Sequence, residues 1–255
     1  MTMTQTLTID PCIIDTYYGD GVKPSQWKIV ADAGLPWVGA ILQVCNGTDV
    51  AGWFIDSWEP LKEAGGARYG IDWFRGSYGY MRIIPAQTPA QNIAYALRQA
   101  DAFLSGIEAA GGFGIGDLWP AVDVERAGNS GSIASMVVDA TSTWSETILR
   151  RTGRRPILYA GSYFKDLGIK DHCGCQMLWF PRWEATLSEA DYGAIGWTRD
   201  RLWGWQYCGD GNAKLANYPH TTPIGPLDIT AIVLGDAAGP QAPLNLTRTR
   251  RGVEP

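Results

Sequence analysis

The sequence predicts an α/β fold, an irregular barrel, on three observations. Apolar β-type runs alternate with helix-period segments as far as Tyr159, and beyond it strands follow one another with loops in place of long helices. Acidic residues stand where several strands end or begin, and in such barrels functional side chains gather at the C-terminal ends of strands. A chain of 255 residues, 45% hydrophobic and 18% charged, can bury one large undivided core.

The first strand is predicted at "TLTIDPC", ending at Asp10 and broken by Pro11. A helix follows around "PSQWKIVADAG", because Pro24 near its start and Gly34 at its end occupy the termini those residues favour. Strand "WVGAILQVC" runs from Trp37 to Cys45; the turn "NGTD" leads to a helix near "AGWFIDSWEPLKEAG". "FRGSYGYM" is a third strand. Ile93, Leu97, Ala100, Leu104 and Ile107 then recur at helical spacing on one face. "LWPAVDVERAGN" supplies the next strand, and Ile133, Val137, Ala140, Trp144 and Ile148 another helix, stopped at Gly153. "RRPILYAGS", "QMLWFPRW", "RLWGWQYC" and "PLDITAIV" complete the set as strands. The outcome is a TIM-like (β/α) barrel whose C-terminal half has lost helices. It spans residues 1–238 as one domain, with a proline- and charge-rich tail over 239–255.

Composition excludes several functions. A net charge of −5 gives no polyanion footprint, so no nucleic-acid partner is expected. The basic cluster "TRTRRG" sits in the tail. The segment "MTMTQTLTID" lacks the marks of a signal peptide, and no apolar run reaches membrane-spanning length. Synthesis in a cytoplasm without membrane insertion is the expectation. Five scattered cysteines argue against a disulfide framework. His172, Cys173 and Cys175 in "DHCGCQ" read as ordinary loop residues, since a zinc site wants a fourth ligand. No metal or cofactor is expected, and with two histidines a Ser/His or Cys/His hydrolase is poorly supported.

The chemistry lies in the carboxylates. Residues two apart in a strand share a face, about 6–7 Å apart, so Asp123 and Glu125 look into the same mouth. Each raises the cost of ionising the other, which lets one stay protonated near neutral pH. A neutral acid beside a carboxylate is what glycosidic cleavage requires. Arg126 is the one cation in that stretch able to offset them. Asp10 ends the first strand and Asp228 opens the last, and in a closed barrel those strands are neighbours. Four acids at one mouth are too costly to be structural decoration. Aromatic side chains at strand ends suit sugar rings: Tyr78, Tyr80, Tyr159, Trp179, Trp183, Trp205 and Tyr207, with Tyr80, Trp179 and Trp205 foremost. Arg82, Arg182 and Gln206 are the polar groups expected to meet hydroxyls.

Seven motifs in order resemble the lysozymes of glycoside hydrolase family 25: "IDP", "AILQVCNGTD", "RGSYGYMR", "PAVDVE", "RPILYAGSYF", "LWFPRW" with "WGWQY", and "PLDIT". The resemblance implies a muramidase cutting the β-1,4 bond between N-acetylmuramic acid and N-acetylglucosamine of bacterial peptidoglycan. It implies Glu125 as proton donor and Asp123 as the group that orients and charges the substrate's own 2-acetamido nucleophile, with Asp10 and Asp228 tuning both. It also implies a phage endolysin or virion-borne enzyme, made without a signal peptide and reaching the wall after the membrane is opened. No separate wall-binding domain is expected after the barrel. Relatives often carry histidine at the position of Gly79, so this chain is expected to have one subsite widened. Two alternatives keep the fold and change the function: a non-catalytic glycan-binding barrel, and a hydrolase of another amino-sugar polymer such as chitin.

Overall fold

The structure, a computed structural model, describes residues 11–214 and 218–233. Ten strands are found among them: β1 Cys12–Thr16, β2 Trp37–Asn46, β3 Asp49–Val50, β4 Phe74–Tyr80, β5 Ala121–Asp123, β6 Ile157–Tyr159, β7 Met177–Pro181, β8 Leu202–Gly209, β9 Asn212–Ala213 and β10 Asp228–Ile232. They pair in the order β1-β10-β8-β7-β6-β5-β4-β2, and β1 returns to pair with β2, so the sheet closes into a barrel. The two-residue β3 and β9 are outworks on β2 and β8. Neighbours from β1 through β2 and β4 to β8 run parallel, while β10 is antiparallel to both β1 and β8. That reversal places the start of β10 at the mouth where the other strands end. Asp228 faces Asp15 across the β1–β10 ladder.

Helices α1 Trp27–Ala33, α2 Gly52–Gly65, α3 Pro89–Ala109 and α4 Ala134–Thr152 cover the first half. The second half retains α5 Ser162–Asp166 and α6 Glu189–Gly193, five residues each. The loss of helices after β6 is as expected. Local chemistry sets the ends of the long helices. Thr88 and Gln91 form a reciprocal capping box at the start of α3, with Pro89 in its first turn. Gly153 closes α4 in the left-handed region at φ 71°.

Alternation along each strand sorts the core into two clusters. Ile13, Phe74, Tyr78, Ala121, Ile157, Tyr159, Trp179, Trp203 and Ile232 fill the barrel. The intervening Ile14, Val122, Val124, Leu158 and Leu178 face outward into a larger cluster under the helices. Deep in the barrel the filling is apolar; towards the mouth the same inward rows continue as Asp15, Gln43, Asp123, Gln206 and Asp228. The site is therefore the polar end of the core.

Three expectations need correction. The first strand is "CIIDT", beginning beyond Asp10; Asp10 itself lies outside the described residues, as does the tail 239–255. The inner face of α3 is not the apolar stripe read from spacing: Ile93 and Leu97 are 36% and 39% exposed, while Asn92, Gln99 and Phe103 are buried. The stripe misleads because two buried amides bond to main chain. Asn92 bonds both ways with Ile84, and Gln99 accepts from the Arg82 N–H and donates to its carbonyl at 2.7 Å each. Finally, Ile133 is the exposed N-cap of α4 rather than part of its packed face.

Candidate active site

Strand β5 delivers the acid pair. Ala121 points into the barrel and Val122 and Val124 point out, so Asp123 and Glu125 share the inward row. Hydrogen bonds from Met81 N to Asp123 O and from Val124 N to Tyr159 O extend the ladder past the strand on both sides. Beyond it the chain turns at once, held by Asn129, whose side chain is fully buried. Its amide nitrogen donates to Glu125 O at 2.8 Å and to Met81 O at 2.9 Å, while its carbonyl oxygen accepts from Ile83 N at 2.7 Å. The Tyr163 hydroxyl donates to its backbone carbonyl. Asn129 thus locks the Glu125 turn to the segment leaving β4.

The other two acids come from β1 and β10. Asp15 is buried on β1 and Asp228 half-buried at the start of β10. Gln206, 1% exposed, connects them: its Nε2 donates to Asp228 Oδ2 at 2.7 Å and to Asp15 Oδ2 at 3.3 Å. Its Oε1 accepts from the Tyr159 hydroxyl at 2.5 Å. The Asp210 N–H donates to Asp228 Oδ1 at 2.7 Å.

Desolvation dominates the electrostatics. Burial first, then Glu125, Asp15 and Asp228, raise Asp123 well above the usual carboxylate range, and Arg82 offsets this in part. Asp15 is raised well above that range by burial and then by Asp228. Asp228 is pushed up to about 7, chiefly by burial. Glu125 is raised by burial, with the Tyr159 hydroxyl beside it favouring the ionised form. One oxygen each of Asp15 and Asp123 is buried without a hydrogen-bond partner. Four carboxyls so placed cannot all be ionised near neutrality, and the mouth holds protons in reserve. That is the requirement for general acid catalysis.

The sequence-derived assignments divide on contact with the structure. Asp123, Glu125 and Asp228 meet at one mouth. Asp10 lies outside the described residues; β1 brings Asp15 to the mouth, after the unbroken apolar run Cys12–Ile14, as Asp123 follows its own apolar run. Arg126 does not offset the pair; it bonds exposed Asp166, and Arg82 is the cation acting on Asp123. Tyr78 and Tyr159 line the mouth from inside, both over 90% buried. Tyr80 is half-buried, its hydroxyl donating to Ala127 O.

Trp179, 1% exposed, is barrel filling: its indole N–H donates to Thr230 Oγ1 at 2.8 Å and its ring packs on Tyr159. Tyr207 is fully buried on the outward row, against Pro219 O and the Tyr218 ring. Neither can meet a sugar. Trp205 shares that outward row, half-buried, and donates to Arg182 O. Arg182 is committed to Asp191 at 2.7 Å and to Thr186 O. Gln206 holds the acids and is closed off from solvent. Gly79 faces the helices, where a Cβ would meet Phe103 and Trp144 at 3.3 and 3.4 Å, so its lack of a side chain widens no subsite. Trp183, on the loop after β7, packs its ring on Gly209 and is 50% exposed.

Away from the mouth, His172 is saturated: Nδ1 faces Arg201 at 2.5 Å, Nε2 faces Gly196 O at 2.8 Å, and the ring stacks on Trp197. Burial raises the Cys175 thiol to about 12 and pushes Cys173 upward too. Among the described residues no group of His, Cys, Asp and Glu is placed to hold a metal ion, and no helix is long and apolar enough to cross a membrane.

A closed barrel with an acid pair poised between protonated and ionised at its mouth defines a glycoside hydrolase. Comparison with known families agrees. The profile of glycosyl hydrolases family 25 matches residues 26–214, and the chain belongs to that family. The fold is shared with the bacterial lysozyme from Streptomyces coelicolor at a TM-score of 0.66 and 19% identity, over 95% of this chain and 99% of that one. A muramidase from Acremonium alcalophilum matches at 0.64 and 20% identity, over 92% and 99% of the two chains. The catalytic domain of an endolysin from bacteriophage P40 of Listeria monocytogenes matches at 0.56 and 16%, over 88% and 93%. No curated protein matches significantly by sequence.

Proposed function

We propose that this glycoside hydrolase is a muramidase, hydrolysing the β-1,4 bond between N-acetylmuramic acid and N-acetylglucosamine of peptidoglycan, with Glu125 as the acid and Asp123 as its partner. The observation that carries the reading is their placement: one inward row, one mouth, both raised by burial. The solved structures of this fold that bear the names lysozyme, muramidase and endolysin supply the substrate class. Glu125, half-buried at the rim, donates its proton to the leaving oxygen. Asp123 sits deeper, with Oδ1 unpartnered and buried, as suits a carboxyl oxygen waiting for an amide N–H. It would hold the substrate's 2-acetamido group so that the acetamido oxygen attacks the anomeric carbon, an established variant of glycoside hydrolysis. Asp15 and Asp228, linked by Gln206, act on the charge of Asp123 and Glu125 without touching the reacting atoms.

Action on the wall of a bacterial cell, as an endolysin or a virion component, follows from the same reading. The deciding experiment incubates the purified protein with peptidoglycan and with chitin, and identifies released fragments by mass spectrometry. New N-acetylmuramic acid reducing ends are expected; N-acetylglucosamine ends alone would give the chain a different bond. Proton NMR during early turnover should show the β-anomer first, because two displacements at one carbon restore configuration. An α-anomer first would mean direct attack by water.

A further inference from the structure

Gln206 and Tyr159 stand among the acids, 1% and 5% exposed, so their polar atoms must find partners within the protein. The neighbours of the Gln206 amide settle which way it faces. Asp228 accepts at both oxygens, from the Asp210 N–H and from Gln206 Nε2, each at 2.7 Å, and Asp15 Oδ2 lies 3.3 Å from the same nitrogen. A flipped amide would set its oxygen against two carboxyls and lose both bonds. Gln206 Oε1 therefore faces Tyr159 and accepts from its hydroxyl at 2.5 Å. The same hydroxyl lies beside the Glu125 carboxyl, where it acts against burial and favours the charged form. A phenol has one proton to give. The Tyr159 ring cannot swing between the two acceptors, because it packs edge-on against Trp179 with centroids 4.7 Å apart, and Trp179 is itself tied to Thr230. Only the hydroxyl proton is left to move.

We propose that Tyr159 is a positioning residue whose hydroxyl switches its hydrogen bond between Gln206 and Glu125 during the reaction, Gln206 holding it off Glu125 until the acid has given up its proton. The inference rests on Glu125 being the acid and adds how that acid is kept ready. A general acid must hold its proton before transfer and carry a charge after it. A donor bonded permanently to Glu125 would favour early loss of the proton, and no donor would leave the carboxylate bare. Competition from Gln206 reconciles the two demands. While Glu125 is protonated, Tyr159 bonds Gln206. As the acetamido oxygen bonds the anomeric carbon, the bond to the leaving sugar breaks and the leaving oxygen takes the Glu125 proton. The charged carboxylate then outcompetes the neutral amide, since bonds to an ionised acceptor are roughly twice as strong. When water attacks and gives its proton to Glu125, the hydroxyl returns to Gln206. Tyr159 keeps its own proton throughout. The titratable groups facing Tyr159 are Glu125 and Asp123 from the β5 row, Asp15 from β1 and Asp228 from β10. Tyr80 of β4 faces Asp123 and Glu125, and Tyr163 of α5 donates to Asn129 O. Arg82 acts on Asp123, and Arg126 turns away to Asp166. The Tyr159 hydroxyl is thus the group placed to answer the charge on Glu125.

The test reads Glu125 directly. Protein with isotope-labelled glutamate carboxyls is titrated by carbon NMR, the Glu125 signal being the one lost in Glu125→Gln. Tyr159→Phe, which keeps the packing on Trp179, should raise the Glu125 midpoint by about one pH unit, the scale of one bond to a charged group. Gln206→Met removes the competing acceptor at similar volume. In that background the hydroxyl bonds Glu125 alone, so Tyr159→Phe should raise the midpoint by about two units. Any effect of Gln206→Met on Asp15 and Asp228 is common to both members of that pair and cancels. An unmoved midpoint in Tyr159→Phe, or equal rises in the two backgrounds, overturns the proposal. If Gln206→Met does not fold, Gln206→Asn, which draws the oxygen back from Tyr159, carries the same comparison. Activity then tests the role. On peptidoglycan, Tyr159→Phe should lose about tenfold in kcat with KM near wild type, and the alkaline limb of its pH–rate profile should move up with the midpoint. A loss of rate with that limb unmoved would make Tyr159 structural and overturn the proposal. Full turnover by Glu125→Gln would remove the acid assignment instead, while the midpoints still decide whether Gln206 and Glu125 compete for the hydroxyl.

Discussion

Glu125 and Asn129 show how one residue acts through another. Glu125→Gln keeps the shape of the site and removes the transferable proton. Its kcat on peptidoglycan should fall by about 10²–10⁴ while glycan affinity stays close to wild type; a variant with normal turnover would remove Glu125 from the role of acid. Asn129 touches no substrate yet satisfies Met81 O, Ile83 N and Glu125 O inside the protein. Each such group left bare costs about 1–3 kcal/mol, so Asn129→Ala should lose roughly 3 kcal/mol or more in denaturant unfolding. A purely structural residue would stop there. A positioning residue should also shift the alkaline limb of the pH–rate profile, because the environment that keeps Glu125 protonated moves with its turn. Asn129→Asp, which retains the acceptor for Ile83, should recover part of the stability and little of the shift.

At the scale of elements, the strand ends are precise because neighbouring backbones lie very close. Gly39 on β2, at φ 143°, is where β2 and β4 touch: a Cβ there would lie 1.8 Å from the Phe74 carbonyl oxygen. No rotamer relieves a clash with backbone, so Gly39→Ala should fail to fold or melt far below wild type by circular dichroism. The segment leaving β4 is held from two directions. Gln99 and Asn92 of α3 bond to Arg82 and Ile84, and Asn129 bonds to Met81 and Ile83. Arg82 is thereby fixed near Asp123 without any strand pairing of its own.

For the whole molecule, the mouth trades stability for function. Its carboxyls sit above their unfolded values, near 3.9 for aspartate, with Asp228 at about 7. The folded protein therefore binds more protons than the unfolded chain between about pH 4 and 7, and by linkage stability falls as pH rises through that window. Melting temperature should be higher at pH 5 than at pH 8 from this source. Asp123→Asn removes a raised, buried carboxyl and should narrow that difference, melting higher than wild type at pH 8 and alike at pH 3, while losing activity. Equal melting shifts at both pH values would show that packing at Asp123, rather than its charge, sets the effect.

Periodicity and composition determined much of this protein: the order of strands and long helices, the loss of helices after β6, and the inward facing of both Asp123 and Glu125. Those are local properties, since a period of two puts alternate residues on one face whatever the sheet becomes. The seven motifs added the family. Tertiary structure alone decided that Asp15 joins the mouth, because only the pairing of β1 with β10 sets it opposite Asp228. It decided that Trp179 and Tyr207 fill space rather than grip sugar, for an aromatic at a strand end looks the same in sequence on either face. It placed Arg82, and not the adjacent Arg126, against the pair. And it made the frame of the site from the amides Asn92, Gln99 and Asn129, with Gln206, which the sequence offered as a sugar contact. Their worth lies in buried partners far along the chain, and no local pattern records a hydrogen bond whose other half is supplied by the fold.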